Sequence, residues 1–389
     1  NDLLHAPGYN IQKASLDADG LQSVCVEPDR LQQELREAAK AVGAGLPAWR
    51  GNKASSSVPS VAIAFLVQVA WKQQLPVVRR VFDRLYSAKD VFLYLVDQRL
   101  MTPEDLKRVL PSPLPENVMV QPVAHARYFL WPRVEIVLRG LAVLLERGRG
   151  WDFAVHLSES DYPVHSLAWI RGALAAQRTT NFVAATPRCS RRGGETILDT
   201  WFWWTQPDAI ASCKGAQRGP RQAWRVGVKV PGVIFPLEEV ESRGFKFGHG
   251  PEWVAVTREL VAYALSPELL PLRKLVGMHQ GADEMFWQTL VLNIPGFAQN
   301  ISHQGWFIRW GHGKTAHSPN TLTVNDTESV LRGRGRSLFA RKVATGESAP
   351  LLDFIDALPD LPHPALLATG SKDRLRSAVA CPKGTGLGK

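Results

Sequence analysis

Two periods of apolar residues alternate along the chain. Short, mostly apolar runs lie at Val61–Val69, Val91–Val96 and Phe153–Leu157, rich in β-branched and aromatic residues and short enough for buried strands. Between and after them the period lengthens. Val77, Val81 and Leu85 within Pro76–Tyr86, the stretch Val134–Leu145, and Leu167, Ile170 and Leu174 after Ser166 all predict helices. Val118–Val123 and Asn181–Ala185 predict further strands. Trp253–Leu265 reads as strand into helix, Glu284–Leu292 as helix, Gly305–Trp310 as strand and His317–Asn320 as a turn. Strands alternating with helices predict an α/β fold, in which ligands bind at the carboxyl ends of the strands.

The two ends break this pattern. Residues 1–57 read as an arm or stem, with a charged amphipathic helix at Asp29–Val42 and a Gly-, Ser- and Ala-rich linker at Gly43–Ser57. Residues 58–345 carry the α/β alternation. Residues 346–389 read as an extension, partly mobile, rich in Pro, Gly and Lys towards its end.

Composition narrows the class. A chain of 389 residues with 45% apolar and 21% charged residues is an ordinary globular one, long enough for one large α/β core or two modest ones. The net charge of +10 fits an anionic partner: nucleic acid, anionic glycan, membrane surface or phosphate-bearing substrate. No zinc-finger spacing or Lys/Arg-dense block directs that charge to nucleic acid. The longest apolar run, Val61–Trp71, contains Gln68 and is too short to span a bilayer. The first residue is Asn1 rather than Met, as expected if an anchor or signal had been removed. Cys25, Cys189, Cys213 and Cys381 contain no C-x-x-C pair, which argues against zinc; Cys189–Cys213 is the most local of the possible pairings, and buried free thiols fit as well. Sequons at Asn300 and Asn325 point towards a secretory lumen.

Several residues suit chemistry. Asp97 directly follows an apolar strand, where a carboxylate can hold a nucleoside's hydroxyls or base N–H. Asp161 lies in the polar loop after Phe153–Leu157, at the carboxyl end of a strand where ligands bind. The alternatives are a helix cap for Asp97 and a turn former for Asp161. Asp283 and Glu284 open a helix, where the macrodipole favours a carboxylate, Asp283 more than Glu284. Between 186 and 225, six arginines (Arg188, Arg191, Arg192, Arg218, Arg221, Arg225) alternate with Trp201, Trp203, Trp204 and Trp224, a composition that stacks on sugars and holds anions, or else covers a core edge. The only Asp-x-Asp, Asp17-Ala18-Asp19, lies in the arm, away from any strand end.

The wording of these segments resembles one glycosyltransferase family. It holds the core-2/I-branching β-1,6-N-acetylglucosaminyltransferases, the peptide O-xylosyltransferases and plant β-glucuronosyltransferases. HLSESDYPVHS, around Asp161, resembles its NLSxxDYPI(R/K)T; YLVDQR, around Asp97, its (I/V)HVD(K/T); LWPRVEI, at Leu130–Ile136, its xW(S/G)xVxx. GPEWVAVTRELVAYAL, at Gly250–Leu265, resembles GS(x)(W/Y)FxxxREFVxY(x)L, with Pro251 for the family serine. GADEMFWQTLVLNIP, at Gly281–Pro295, resembles (S)PDExxWxTxxxxxP, with Ala282 for the proline. FIRWGH, HSPNTLTVND and LFARKV then resemble (F/Y)(V/I)xWxx, HPRTLxxxD and (L/F)FA(R/N)KF, with Asn320 in place of an arginine that helps bind diphosphate in the branching enzymes. The last two lean towards plant and algal members.

The resemblance implies a GT-A-type catalytic domain over 58–345, a Rossmann-like nucleotide-binding sheet merged with an acceptor-binding half. It implies inverting transfer of xylose, N-acetylglucosamine or glucuronic acid from a UDP-sugar to a hydroxyl of a glycan or glycoprotein. Glu284 is the implied general base. Asp97, Asp161, Arg341 and Lys342 are implied at the donor, with Arg341 and Lys342 on the diphosphate; Trp253, Trp310 and Glu252 are implied at the acceptor. As a bare pattern Arg341-Lys342 is a solvated basic pair. Neither a metal nor another cofactor is expected, fixed cations doing the work of a metal. No nucleic-acid partner is expected, and membrane attachment only through an anchor outside this chain, as a type II protein of the Golgi or another secretory lumen. The rival is a non-catalytic, lectin-like protein on the same fold, favoured by Pro251 and Asn320.

Overall fold

Every residue of Ile63–Val69 (β1) is buried, because the strand is covered on both faces at the middle of a seven-stranded sheet. The computed structural model describes residues 28–49, 61–124, 131–147, 150–187, 244–277, 281–303, 305–311 and 318–362, with short pieces between 191 and 240. Beside β1 lie Val91–Asp97 (β2), Val118–Val123 (β3) and Phe153–Ser158 (β4), all parallel, in the order β3-β2-β1-β4. The order reverses between β1 and β4, which makes their carboxyl ends a crevice of the kind that receives ligands. The short strands Asp161–Pro163 (β5), Asn181–Phe182 (β6), Thr186–Pro187 (β7), Gly248–His249 (β8), Ala255–Thr257 (β9) and Ile301–Ser302 (β10) follow. The sheet continues past β4 as β9-β6-β10, with β9 antiparallel to β4. A second sheet of three strands joins Gly305–Ile308 (β11), Ser337–Arg341 (β12) and β5.

Strand parity divides the core in two. Ala64, Leu66, Leu93, Leu95 and Ala154 face one layer, with the helices Trp131–Arg147, Arg258–Ala264, Leu270–Gly277 and Phe286–Asn293. Ile63, Phe65, Val67, Phe92, Tyr94, Phe153 and Val155 face the other, with Leu75–Leu85, Leu167–Ala175 and Ala349–Ala357. Gly140 sits in mid-helix despite its poor propensity because a Cβ there would lie 2.7 Å from Leu66 Cδ1; its absence lets Trp131–Arg147 press onto β1 and β2.

The α/β expectation holds, with changes at its margins. The N-terminal helix spans Pro28–Gly43 and does not stand apart: Leu35, Ala38, Ala39 and Val42 are buried in the first layer against Leu270–Gly277. The following residues pack as well, with Trp49 5.6 Å from the rings of both Tyr263 and Phe297 and Tyr263 Oη donating to the Pro47 carbonyl. Ordered structure also continues beyond 345, since Leu351, Leu352 and Ile355 are buried. Asn181–Ala185 shortens to β6, and the helix expected from Glu284 begins at Phe286 after a 3₁₀ turn, Ala282–Glu284. The four cysteines, the Asp-x-Asp of the arm and the side chains of the 186–225 Arg/Trp run lie outside the described residues. Among the described residues, no helix is long and apolar enough to cross a membrane.

Candidate active site

On one face, three adjacent strands turn from apolar to polar at their carboxyl ends. They read Ala64-Leu66-Gln68, Leu93-Leu95-Asp97 and Ala154-His156-Ser158, with Gln68 level with Leu95 and Ser158. A buried surface that abandons hydrocarbon at one edge marks a place built for polar contacts.

The turn after β4 is tied by Asp161. Its Oδ2 accepts from the Ser158 amide and Oγ, both at 2.7 Å, and its Oδ1 accepts from Trp306 Nε1 at 3.0 Å. β5 then pairs antiparallel with β12, which puts Arg341 opposite Asp161; Arg341 Nη1 lies 2.9 Å from both carboxylate oxygens. Asp161 is 0% and Arg341 6% exposed. Asp161 therefore acts as the turn former, and it also carries a buried ion pair. Both of its oxygens are taken by protein donors. Asp161→Ala strands a buried guanidinium and is expected to cost about 3–5 kcal/mol of stability, measured by urea denaturation.

Arg341 also lies 3.9 Å from the centroid of Trp253, whose ring is 4.9 Å from that of His156. Arg133, from the first turn of Trp131–Arg147, approaches the same indole at 5.7 Å and grips Glu252 at 2.6 and 2.8 Å, with Asp283 at 3.8 Å. Trp253, 7% exposed, thus packs against two guanidiniums and the His156 ring rather than forming an open stacking platform. Burial opposes charge on Glu252, but Arg133 overrides it and holds the carboxyl below the ordinary range. Glu252 is committed to that pair.

Lys342 follows Arg341, and its side chain has no hydrogen-bond or ion-pair partner among the described residues. Burial, then the neighbouring Arg341, pushes its pKa down. Its carbonyl receives the Leu322 amide at 2.8 Å, and the Asn320 amide donates to the Arg309 carbonyl, so Trp310, 44% exposed, stands at the same edge.

Glu284 ends the 3₁₀ turn with its amide donating to Asp283 Oδ1 at 3.1 Å. Neither this turn nor the helix after it has a side-chain cap, and the Glu284 carboxylate reaches His249 Nε2 at 3.1 Å. Asp97 is 4% exposed and paired with Arg99, whose Nε is 2.9 Å from Oδ1. It does not cap the next helix: Thr102 and Asp105 form a reciprocal capping box there.

Sequence reading passed over Arg133, His156, His249 and Glu159. Arg133 was legible only as part of the LWPRVEI segment. Burial pushes the Glu159 carboxyl up to about 7, against the pull of its own backbone amide and of Arg133 and Arg341. With the folded value above the ordinary 4.5, the native state holds the proton more tightly, so Glu159 stabilises most below pH 4.5 and loses that contribution as pH rises through about 7. Burial pushes His156 down to about 4, which raises stability with pH up to its ordinary 6.5 and opposes Glu159 below that point. The difference in urea stability between wild type and Glu159→Gln should therefore fall from pH 4.5 to 7; a flat difference would refute the assignment.

Among the described residues no group of three or more His, Cys, Asp or Glu side chains is placed to hold a metal ion. A cavity of about 290 Å³ lies at the opposite, amino-terminal edge of the sheet, lined by residues that include Tyr86, Asp90, Asn117 and Trp151, and touches none of the groups above.

A family model described as Core-2/I-Branching enzyme matches residues 63–331. Xylosyltransferase oxt of Drosophila pseudoobscura pseudoobscura is 27% identical over 326 residues, covering 77% of this chain and 34% of the relative. β-Glucuronosyltransferase GlcAT14A of Arabidopsis thaliana is 26% identical over 239 residues, 56% of this chain and 45% of the relative. The chain thus spans between about a third and a half of the length of these relatives. Among solved structures, core-mannan synthase A of Aspergillus fumigatus, in its Mn/GDP form, is similar at 10% identity over 66% of this chain and 75% of that one, with a TM-score of 0.31.

Proposed function

The chain belongs to the Core-2/I-branching enzyme family, and from that premise we propose that it is an inverting β-glycosyltransferase moving a sugar from a UDP-sugar to a hydroxyl of a glycan or glycoprotein. The observation that supports this most is the cationic end of β12. Arg341 is locked between Asp161 and Trp253, and Lys342 beside it has an ammonium without a partner among the described residues, at the edge where the parallel strands end.

Glu284 takes the proton of the acceptor hydroxyl. The acceptor oxygen attacks the anomeric carbon from the side opposite UDP, the bond from that carbon to the phosphate oxygen breaks, and the electron pair leaves on the diphosphate. Lys342 meets that charge directly. Arg341 has Nη1 committed to Asp161, so it contributes its field and the placement of Lys342 rather than the two-pronged phosphate contact its residue type suggests. Asp97 faces the uridine. Arg133 and Trp253 keep Glu252 and Asp283 paired, leaving Glu284 as the carboxylate for proton transfer. A fixed positive charge stabilises a leaving group without reorganisation, so the reaction runs without a metal. The donor sugar is xylose, N-acetylglucosamine or glucuronic acid, and the site of action a secretory-pathway lumen such as the Golgi. UDP release from these three UDP-sugars, offered with a serine-containing peptide and a neutral oligosaccharide, tests the reading; no release from any pair refutes it.

A further inference from the structure

The structure assigns His249 as the residue that positions Glu284, an inference that rests on Glu284 being the general base proposed above. His249 Nε2 lies 3.1 Å from Glu284 Oε2, the one side-chain hydrogen bond of that carboxylate among the described residues. A carboxylate cannot donate, so when Glu284 is ionised Nε2 carries the hydrogen and the imidazole is the donor.

The backbone around His249 is fixed to the same elements that carry Glu284. The Gly248 amide donates to Thr289 Oγ1 at 3.0 Å, the Gly250 amide to the Glu284 carbonyl at 2.9 Å, and Gln288 Nε2 to the Pro251 carbonyl at 2.7 Å. Both flanking glycines are sterically required. A Cβ at Gly248 would lie 2.5 Å from the Gln288 carbonyl carbon, and one at Gly250 only 1.8 Å from the Ala184 oxygen. The chain runs this close to its neighbours on either side of His249, and the histidine is the one side chain in the Gly-His-Gly run. It is half exposed, its ring has no part in either hydrophobic core, and it points at one polar atom. Stability of the core does not account for it.

A general base needs one carboxylate oxygen aligned with the acceptor hydroxyl. The bond from His249 to Oε2 fixes the carboxylate plane and leaves Oε1 for that proton. As the acceptor oxygen bonds to the anomeric carbon, its proton moves to Oε1, UDP departs with the electron pair of the broken bond, and His249 keeps its own hydrogen. His249 is therefore a positioning residue that touches neither substrate.

The test compares His249→Ala, His249→Gln, Glu284→Gln and the His249→Ala/Glu284→Gln double variant. The readouts are UDP release with the three donors and two acceptors above, UDP affinity by calorimetry, Tm, and the ¹⁵N resonances of the His249 ring. His249→Ala is expected to lose about 10- to 100-fold in kcat, the scale of a misaligned reacting group, with UDP affinity and Tm unchanged. His249→Gln, which restores an N–H donor, should recover most of the loss. The double variant should be no slower than Glu284→Gln alone, and the ring resonances should move on Glu284→Gln. If His249→Ala stays within twofold of wild type while Glu284→Gln is inactive, the positioning role is wrong and the base assignment stands. If the double variant is slower than Glu284→Gln by the full factor of His249→Ala, the histidine acts elsewhere. If Glu284→Gln itself keeps its rate, base and positioning role fall together.

Discussion

Glu284→Gln is expected to lower kcat by about 10²–10⁴ while UDP affinity and Tm stay at wild-type values. The fold does not depend on this carboxylate. Its side-chain partner among the described residues is His249, which is half exposed. The amide of the variant keeps the size and the hydrogen bond but cannot accept the acceptor's proton, so the loss falls on the chemical step. Glu252 is the informative control. It is buried and paired with Arg133, so Glu252→Gln should lose stability by disturbing that pair. A Glu284→Gln enzyme within a few-fold of wild type would move the base elsewhere, with Asp283 and Glu252 as the nearest carboxylates.

Lys342→Ala is expected to cost about 10²–10³ in kcat, the scale of one lost preorganised electrostatic contact, at little cost in stability. The Lys342 ammonium has no partner to strand among the described residues, whereas Arg341→Ala would leave Asp161 buried without its cation and lose folding stability as well. The two neighbours should therefore separate in one experiment, with urea denaturation beside the rate assay. A Lys342→Ala enzyme with wild-type turnover would remove the leaving-group role from this residue.

The central sheet was legible because β1, β2 and β4 are buried on both faces, and such strands read as mostly apolar runs. Asp97 and Asp161 were legible for the converse reason, as charges placed where those runs stop. The N-terminal helix reads as part of an arm because its charged face dominates, while its buried face is only Leu35, Ala38, Ala39 and Val42. Arg133 is hidden in sequence since a guanidinium in a first helical turn looks solvated; only the fold brings it to Glu252 and Trp253. Trp253, implied at the acceptor by the resemblance, is buried against Arg133 and Arg341 instead, because a sequence does not say how much of an indole is covered. The Asp97 cap reading failed on a nearer competitor, Thr102, whose partner Asp105 three residues on completes the box.

One assay bears most directly on the central claim, that Arg341 and Lys342 supply the charge a metal would otherwise bring to the departing diphosphate. UDP release is measured from UDP-xylose, UDP-N-acetylglucosamine and UDP-glucuronic acid with the peptide and oligosaccharide acceptors, in excess EDTA and with added Mn²⁺, on wild type and Lys342→Ala. The account predicts equal wild-type rates in EDTA and Mn²⁺, and a deficit in Lys342→Ala that Mn²⁺ does not repair. Loss of wild-type turnover in EDTA, restored by Mn²⁺, would contradict it.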